Sequence, residues 1–217
     1  MLVGDPSQWA SRFVSTDDRL LARIVAVWPA CQAALPANAD EDLITRNLVN
    51  LLLRDGETRE FVHWIQDQFP VWEYTAGGVG IEKGIVDMAV LLDQERTNYL
   101  AYECKRLSVI YSNGRQSLAG PYVTEGLVRF VTEQYAEKLP TGAMLGYVLD
   151  GDIAFALSRV STAIQSNRQL VGLLEGPTEL PTISVAARFG TLHQRPTGNH
   201  QIEVRHAFLP FARHTIV

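Results

Sequence analysis

Residues 143–149, Ala-Met-Leu-Gly-Tyr-Val-Leu, form an unbroken apolar run with Gly142 before it and Asp150-Gly151 after it. A run of this kind reads as a central strand buried on both faces. A sheet covered on both faces calls for helices, and several segments supply the pattern. Ile44, Leu48, Leu51 and Leu52 recur at helical spacing behind Asn38-Ala39-Asp40, whose polar side chains suit an N-cap, so an amphipathic helix is expected to begin at Glu41. Further helices are expected over 57–68, over 153–166, and from Pro121 through Val123, Leu127, Phe130, Val131 and Leu139, ended by Thr141-Gly142. The first 36 residues carry Trp9, Phe13, Leu20, Leu21, Ile24, Val27 and Trp28 at helical spacing until Pro29 and Pro36 end the pattern, which suggests a helical cap or a partner surface.

Three strands in succession are expected at 71–74, 83–92 and 99–105, joined by the Gly77-Gly78-Val79-Gly80 turn and by a turn over 94–98. The glycine cluster lacks the Gly-Lys-Ser/Thr ending of a phosphate loop, and no helical pattern follows it. Polar segments at 112–120 and around Gly176-Pro177 read as loops, and 182–192 and 201–209 read as a hairpin turned by Pro196-Thr197-Gly198-Asn199. The expected class is α/β, a mixed central β-sheet flanked by helices in one domain over 1–217. Its parts are a helical N-terminal extension (1–36), a core (40–149), and a helix with a terminal β-hairpin (150–217).

Composition permits this and narrows the setting. With 217 residues, 47% of them apolar and 20% charged, one well-buried domain is within reach. No apolar run approaches the roughly 20 residues of a membrane helix, and residues 1–6 show no secretory pattern. Cys31 and Cys104 are too few for a disulfide framework and read as buried small hydrophobes, so a reducing, cytoplasmic setting is expected. The net charge of −5 counts against a broad electrostatic grip on nucleic acid. Against that, only three of the 19 basic residues are lysine and the rest are arginine, the better phosphate ligand.

The chemistry concentrates between residues 84 and 106. Strand alternation puts Glu103 and Lys105 on one face and Tyr102 and Cys104 on the other. Asp87 stands among Ile85, Val86, Met88, Ala89 and Val90, where an unpaired carboxylate costs several kcal/mol or takes up a proton. A metal or a cation removes that cost. Two carboxylates and the Cys104 carbonyl are hard oxygen ligands suited to Mg²⁺ or Mn²⁺. An adjacent ammonium can orient a water, help deprotonate it, and offset charge on a pentavalent phosphoryl transition state. Glu41 precedes Ile44 by three and Leu48 by seven, so it extends the buried stripe of its helix, whereas Asp42 points about a quarter-turn away. The bland alternatives are a first-turn acid complementing the helix dipole at Glu41 and a structural salt bridge at Lys105.

Asp87, Glu103 and Lys105, with Glu41 on the preceding helix, resemble the PD-(D/E)xK nuclease superfamily, whose order of helix, three strands, helix and strand is similar to that expected over 40–149. Val86 stands where the motif's name has proline. The resemblance implies a restriction-endonuclease-like fold and Mg²⁺- or Mn²⁺-dependent hydrolysis of DNA phosphodiesters in restriction or phage defence. It implies Asp87 and Glu103 as metal ligands, Lys105 and Glu41 as further catalytic residues, and a homodimer or partner subunit where both strands are cut. The alternative is a catalytically silent nuclease-fold module that binds nucleic acid or a protein partner. Tyr122, Arg129 and Gln134 could share a helix face toward DNA, and His193, Arg195, His200, Arg205 and His206 cluster near the terminal hairpin. That cluster is read as a polar hairpin, with zinc or phosphate binding as the sharper alternatives.

Overall fold

The computed structural model describes residues 6–36, 39–94, 96, 98–112, 114–137, 139–183, 186–197 and 200–211. Residues 1–5, 37, 38, 95, 97, 113, 138, 184, 185, 198, 199 and 212–217, and the side chains of residues 6–9, Trp9 among them, fall outside the described residues. Helices α1 (Pro6–Ala33), α2 (Glu41–Arg54) and the short α3 (Gly56–Arg59) come first, followed by strands β1 (Trp64–Tyr74), β2 (Gly80–Leu91) and β3 (Tyr99–Leu107). A small hairpin, β4 (Val109–Tyr111) and β5 (Gly114–Gln116), leads into a helix of three pieces: α4 (Ala119–Pro121), a π-helical stretch (Tyr122–Leu127) and α5 (Val128–Val131). Strand β6 (Thr141–Val148), helix α6 (Ile153–Ser166) and strands β7 (Leu173–Glu179), β8 (Ala187–Gln194) and β9 (Gln201–Pro210) complete the order.

Seven strands form one mixed sheet in the order β1-β2-β3-β6-β9-β8-β7. The β3–β6 and β6–β9 pairs are parallel and the others antiparallel. All eight residues of β6 are buried at the middle of the sheet, as the apolar run 143–149 requires. The two faces are told apart by β3. Tyr102 donates to Asp17 of α1, whereas Glu103 and Lys105 lie beside Gly126 of the π stretch. Helices α1 and α2 therefore cover one face and the π-containing helix the other.

Several elements depart from the sequence pattern. Helix α1 continues through Pro29 to Ala33. A proline inside a helix costs about 3 kcal/mol, but Trp28 and Cys31 on either side of it are buried, and Trp28 and Gln32 donate to the Pro210 carbonyl. Burial at about 1.5–3 kcal/mol per large side chain and hydrogen bonds near 1 kcal/mol each offset the loss. Phe13, Leu20, Leu21 and Ile24 are also buried, so this stripe is spent inside the fold.

The helix expected over 57–68 is confined to α3, and Trp64–Tyr74 is a strand. Phe61, Val62, Ile65 and Phe69 do recur at helical spacing, yet the ladder from Trp64↔Leu91 to Tyr74↔Gly80 outcompetes the helix. Gln68 at φ 48° and Pro70 are tolerated because β1 is an edge strand. The same holds for Gly176-Pro177, expected in a loop and found in the other edge strand, β7. The segment 112–120, expected as a loop, contains strand β5, which pairs back with β4.

The helix from Pro121 ends at Val131, not at Thr141-Gly142, which open β6. The guanidinium of Arg195 is buried in this bend and donates to the carbonyls of Phe130, Ala136 and Leu139, so the chain folds back with Glu133 and Ala136 at positive φ. Tyr135, Ala136 and Leu139 are buried by that bend instead of by a helix face. Nor is the β8–β9 hairpin an appendage, since β9 pairs with β6 from Thr141↔Glu203 to Val148↔Pro210.

Candidate active site

The site forms where two strands part. The β2–β3 ladder runs from Leu91↔Tyr99 to Met88↔Tyr102 and stops there, β2 going on with β1 and β3 with β6. Beyond the fork the N–H of Cys104 has no backbone partner on β2. The Asp87 carboxylate takes that place, accepting from Cys104 N at 2.7 Å through Oδ2. This answers the burial cost of Asp87 in part.

Helix α2 brings the second acid. Asp40 accepts from the N–H of Leu43 and so sets the first turn. Glu41, the first residue of that turn, accepts from Lys105 Nζ at 2.9 Å and from the backbone N–H of Arg106 at 2.8 Å. Asp42 is exposed and takes no part.

Glu103 is fully buried. Its Oε1 receives Lys105 Nζ at 2.8 Å and Arg129 Nη1 at 2.7 Å, whereas Oε2 is buried without a hydrogen-bond partner. Arg129 Nη1 also donates to the Tyr135 hydroxyl, which donates in turn to the Ile85 carbonyl. The Lys105 ammonium completes its shell with the Cys104 carbonyl at 3.0 Å and Asp87 Oδ2 at 3.7 Å. Close approach of the covering helix depends on Gly126, where an added Cβ would lie 3.5 Å from Glu103 Cγ and 3.6 Å from Lys105 Cγ.

Electrostatics follow from this enclosure. Burial raises the pKa of Glu103 to about 7, with Asp87 adding to the rise and Lys105 and Arg129 opposing it. Burial also raises Asp87 above the usual carboxylate range, against the pull of Lys105 and the Cys104 N–H. At Lys105 burial acts downward, but Glu103, Asp87 and Glu41 together reverse it and hold the ammonium protonated. Three carboxylates thus face two cations.

The structure brings together all four residues singled out in the sequence, Glu41, Asp87, Glu103 and Lys105. Among the described residues, no three His, Cys, Asp or Glu side chains group as a metal site; the Lys105 ammonium contacts Glu41 and Glu103. A cleft of about 350 Å³ opens onto this cluster, lined by Glu41, Lys105, Arg106, Tyr122, Glu125 and Arg129.

Other sequence candidates resolve differently. Arg129 belongs to the site through Glu103 rather than to a free helix face, and nothing in its local sequence signals a partner 26 residues away. Tyr122 is buried and donates to His206 Nδ1, and Gln134 donates to the Lys83 carbonyl. His193 and His206 are fully enclosed, with both ring nitrogens of each engaged by Val171 O, Thr191 Oγ1 or Tyr122 OH, which leaves no lone pair for zinc. Arg205 serves a buried network with Asp17 and Asp18. Cys31 and Cys104 are free and buried. Among the described residues no helix is long and apolar enough to cross a membrane. No family model, no curated protein and no solved structure matches this chain.

Proposed function

We propose that this chain is a PD-(D/E)xK-type endonuclease of restriction-endonuclease-like fold that hydrolyses DNA phosphodiesters with Mg²⁺ or Mn²⁺, acting in restriction or phage defence. The observation that carries this is the meeting of Asp87, Glu103, Lys105 and Glu41 at the fork of β2 and β3. A divalent cation fits the donor set: the oxygens are hard ligands, and Glu103 Oε2 is buried with no hydrogen-bond partner. Asp87 and Glu103 would hold the ion, which when bound makes a water more acidic and neutralises charge on the phosphoryl oxygens.

The chain's own residues supply the rest. Lys105, kept protonated by its three carboxylates, acts as a hydrogen-bond donor that orients the attacking water and stabilises charge on the phosphorane, not as its base. Glu41 holds Lys105 and the start of the Arg106 segment in place. A cut through both strands needs two such centres, hence a homodimer or a partner subunit, which would also supplement the grip of an acidic chain on DNA. The buried free thiols suit a cytoplasmic setting.

Incubation of plasmid, linear and single-stranded DNA with Mg²⁺ or Mn²⁺ is expected to give cleavage that Lys105→Ala lowers by at least about 100-fold. Intact DNA throughout, or equal cleavage by Lys105→Ala, rejects the proposal. The ammonium among the carboxylates favours one competing reading, a catalytically silent module whose ion cluster is complete in itself. Calorimetry with Mn²⁺ separates the two: heat of binding lost in Glu103→Gln belongs to the nuclease, and its absence in the wild type belongs to the silent module.

A further inference from the structure

Beyond the pair Met88↔Tyr102 no backbone ladder joins the two strands that carry Asp87 and Glu103. Two side-chain bridges cross the gap instead. One is the Asp87 carboxylate on the Cys104 N–H. The other is longer. The Tyr135 hydroxyl donates to the Ile85 carbonyl of β2 and accepts from Arg129 Nη1, which also donates to Glu103 Oε1 of β3 at 2.7 Å.

The longer bridge rests on a fixed base. Tyr135 is 1% exposed and sits in the bend whose carbonyls Arg195 ties together. Its neighbour Gln134 donates to the Lys83 carbonyl, so the bend is fastened to β2 at two points. Gly84 lies between them and permits the fit, since an added Cβ would fall 3.0 Å from the Tyr135 ring and nearer still to the Gln134 amide. Arg129 stands in α5, directly after the π stretch whose Gly126 abuts Glu103 and Lys105.

The consequence falls on one carboxylate. With Arg129 and Lys105 both on Oε1, Glu103 cannot turn without breaking two charge-assisted hydrogen bonds, and Oε2 is left buried without a hydrogen-bond partner. Lys105 alone does not impose this orientation, because its ammonium also contacts Glu41 and comes within 3.7 Å of Asp87. An ammonium is a point charge with no preferred plane, whereas a guanidinium on a fixed anchor has one.

We propose that Arg129, anchored by Tyr135, is the positioning residue of the cluster: it fixes the Glu103 carboxylate so that Oε2 is the oxygen offered to a cation. Naming that cation as the divalent metal of a nuclease rests on the nuclease proposal; the fixing of Glu103 does not.

The test uses two variants that keep the local charge. Tyr135→Phe removes the anchor without touching Glu103, and Arg129→Lys keeps the cation but loses the fork. Removing the cation itself is avoided, because that would favour a metal through charge alone. Two quantities are read on the whole chain at one pH: Mn²⁺ affinity by calorimetry, and, without metal, the carboxyl carbon NMR resonance of Glu103, assigned by its absence in Glu103→Gln. Both variants are expected to bind Mn²⁺ about 10-fold more weakly than wild type. The Glu103 resonance of metal-free Tyr135→Phe is expected to move. Circular dichroism gives the folded fraction on which each affinity is counted, and Arg129→Lys carries the test should Tyr135→Phe fold poorly. Mn²⁺ binding as tight as in wild type makes the bridge merely structural and overturns the proposal. Tighter binding overturns it too, since Arg129 would then compete with the metal for Glu103. If wild type binds no Mn²⁺, the nuclease proposal falls and the Glu103 resonance decides alone: moved in Tyr135→Phe it keeps the positioning role, unmoved it ends it.

Discussion

Lys105 shows how one side chain can stand for two readings until its surroundings are known. In the sequence it is either a catalytic ammonium or half of a structural salt bridge, and in the fold it touches Glu41 and Glu103 and comes within 3.7 Å of Asp87. An ordinary buried pair needs one partner. Here three acids converge on one ammonium, and one buried oxygen of Glu103 is left without a hydrogen-bond partner. Gly126 is the residue that makes room for this crowding. Gly126→Ala is expected to be near neutral in stability, because the closest atom to an added Cβ, Met144 Cε, is the end of a flexible side chain and alanine gains up to about 1 kcal/mol of helix propensity. Gly126→Leu is expected to cost about 1–3 kcal/mol by urea denaturation, since the branched side chain runs into Glu103 and Lys105. Its Mn²⁺ binding should fall along with its stability. Parity along β3 made the Glu103–Lys105 neighbourhood legible from sequence, but the reach of Arg129 to Glu103 has no local signature.

Elements differ in how far local pattern decides them. Helix α6 runs over Ile153–Ser166, the span expected from the sequence, and Asp152 caps it by accepting from the Phe155 N–H. The segment 57–68 has a helical period too, but its fate is set by the twelve residues of β2 that lie beside it. Strand β8 shows a second kind of long-range decision. Thr191 is held between the rings of His193 and His206, and the donors can be assigned in sequence. Because Val171 O only accepts, His193 carries its proton on Nδ1 and accepts from Thr191 at Nε2. Thr191 then accepts from His206 Nε2, and His206 Nδ1 accepts from Tyr122. A second proton on either ring breaks this chain. Burial lowers the pKa of His193 to about 4, below its ordinary 6.5, so between pH 6.5 and pH 4 the unfolded chain binds more protons and stability falls with pH. The contribution is at most about 3 kcal/mol. The difference in unfolding free energy between wild type and His193→Gln should therefore shrink on acidification across that window. Carboxylate titrations are common to both chains and cancel from the difference.

At the scale of the molecule the largest buried ionic feature lies away from the proposed site. Asp17 of α1 accepts from Tyr102, Arg188 and Arg205, and Asp18 receives the same two arginines, which ties α1 to β3, β8 and β9 at once. Asp17→Ala would leave two guanidiniums that are almost fully enclosed without their main counter-ion. A loss of about 3–5 kcal/mol is expected from chemical denaturation. A loss below about 1 kcal/mol would mean that Asp18 and solvent compensate. The chain's charge of −5 is equally uninformative about local sign, since the side chains of Lys105 and Arg129 meet at one cluster. By itself the sequence determined what depends on near neighbours: the central strand at β6, the Asp40 cap that places Glu41, helix α6, and the shared face of Glu103 and Lys105. Only the tertiary structure decided that β2 and β3 part at Met88, that β9 inserts beside β6, and that Arg129 reaches Glu103. Such pairings are chosen by competition among distant strands for hydrogen bonds and buried volume, and no local period in the chain encodes the winner.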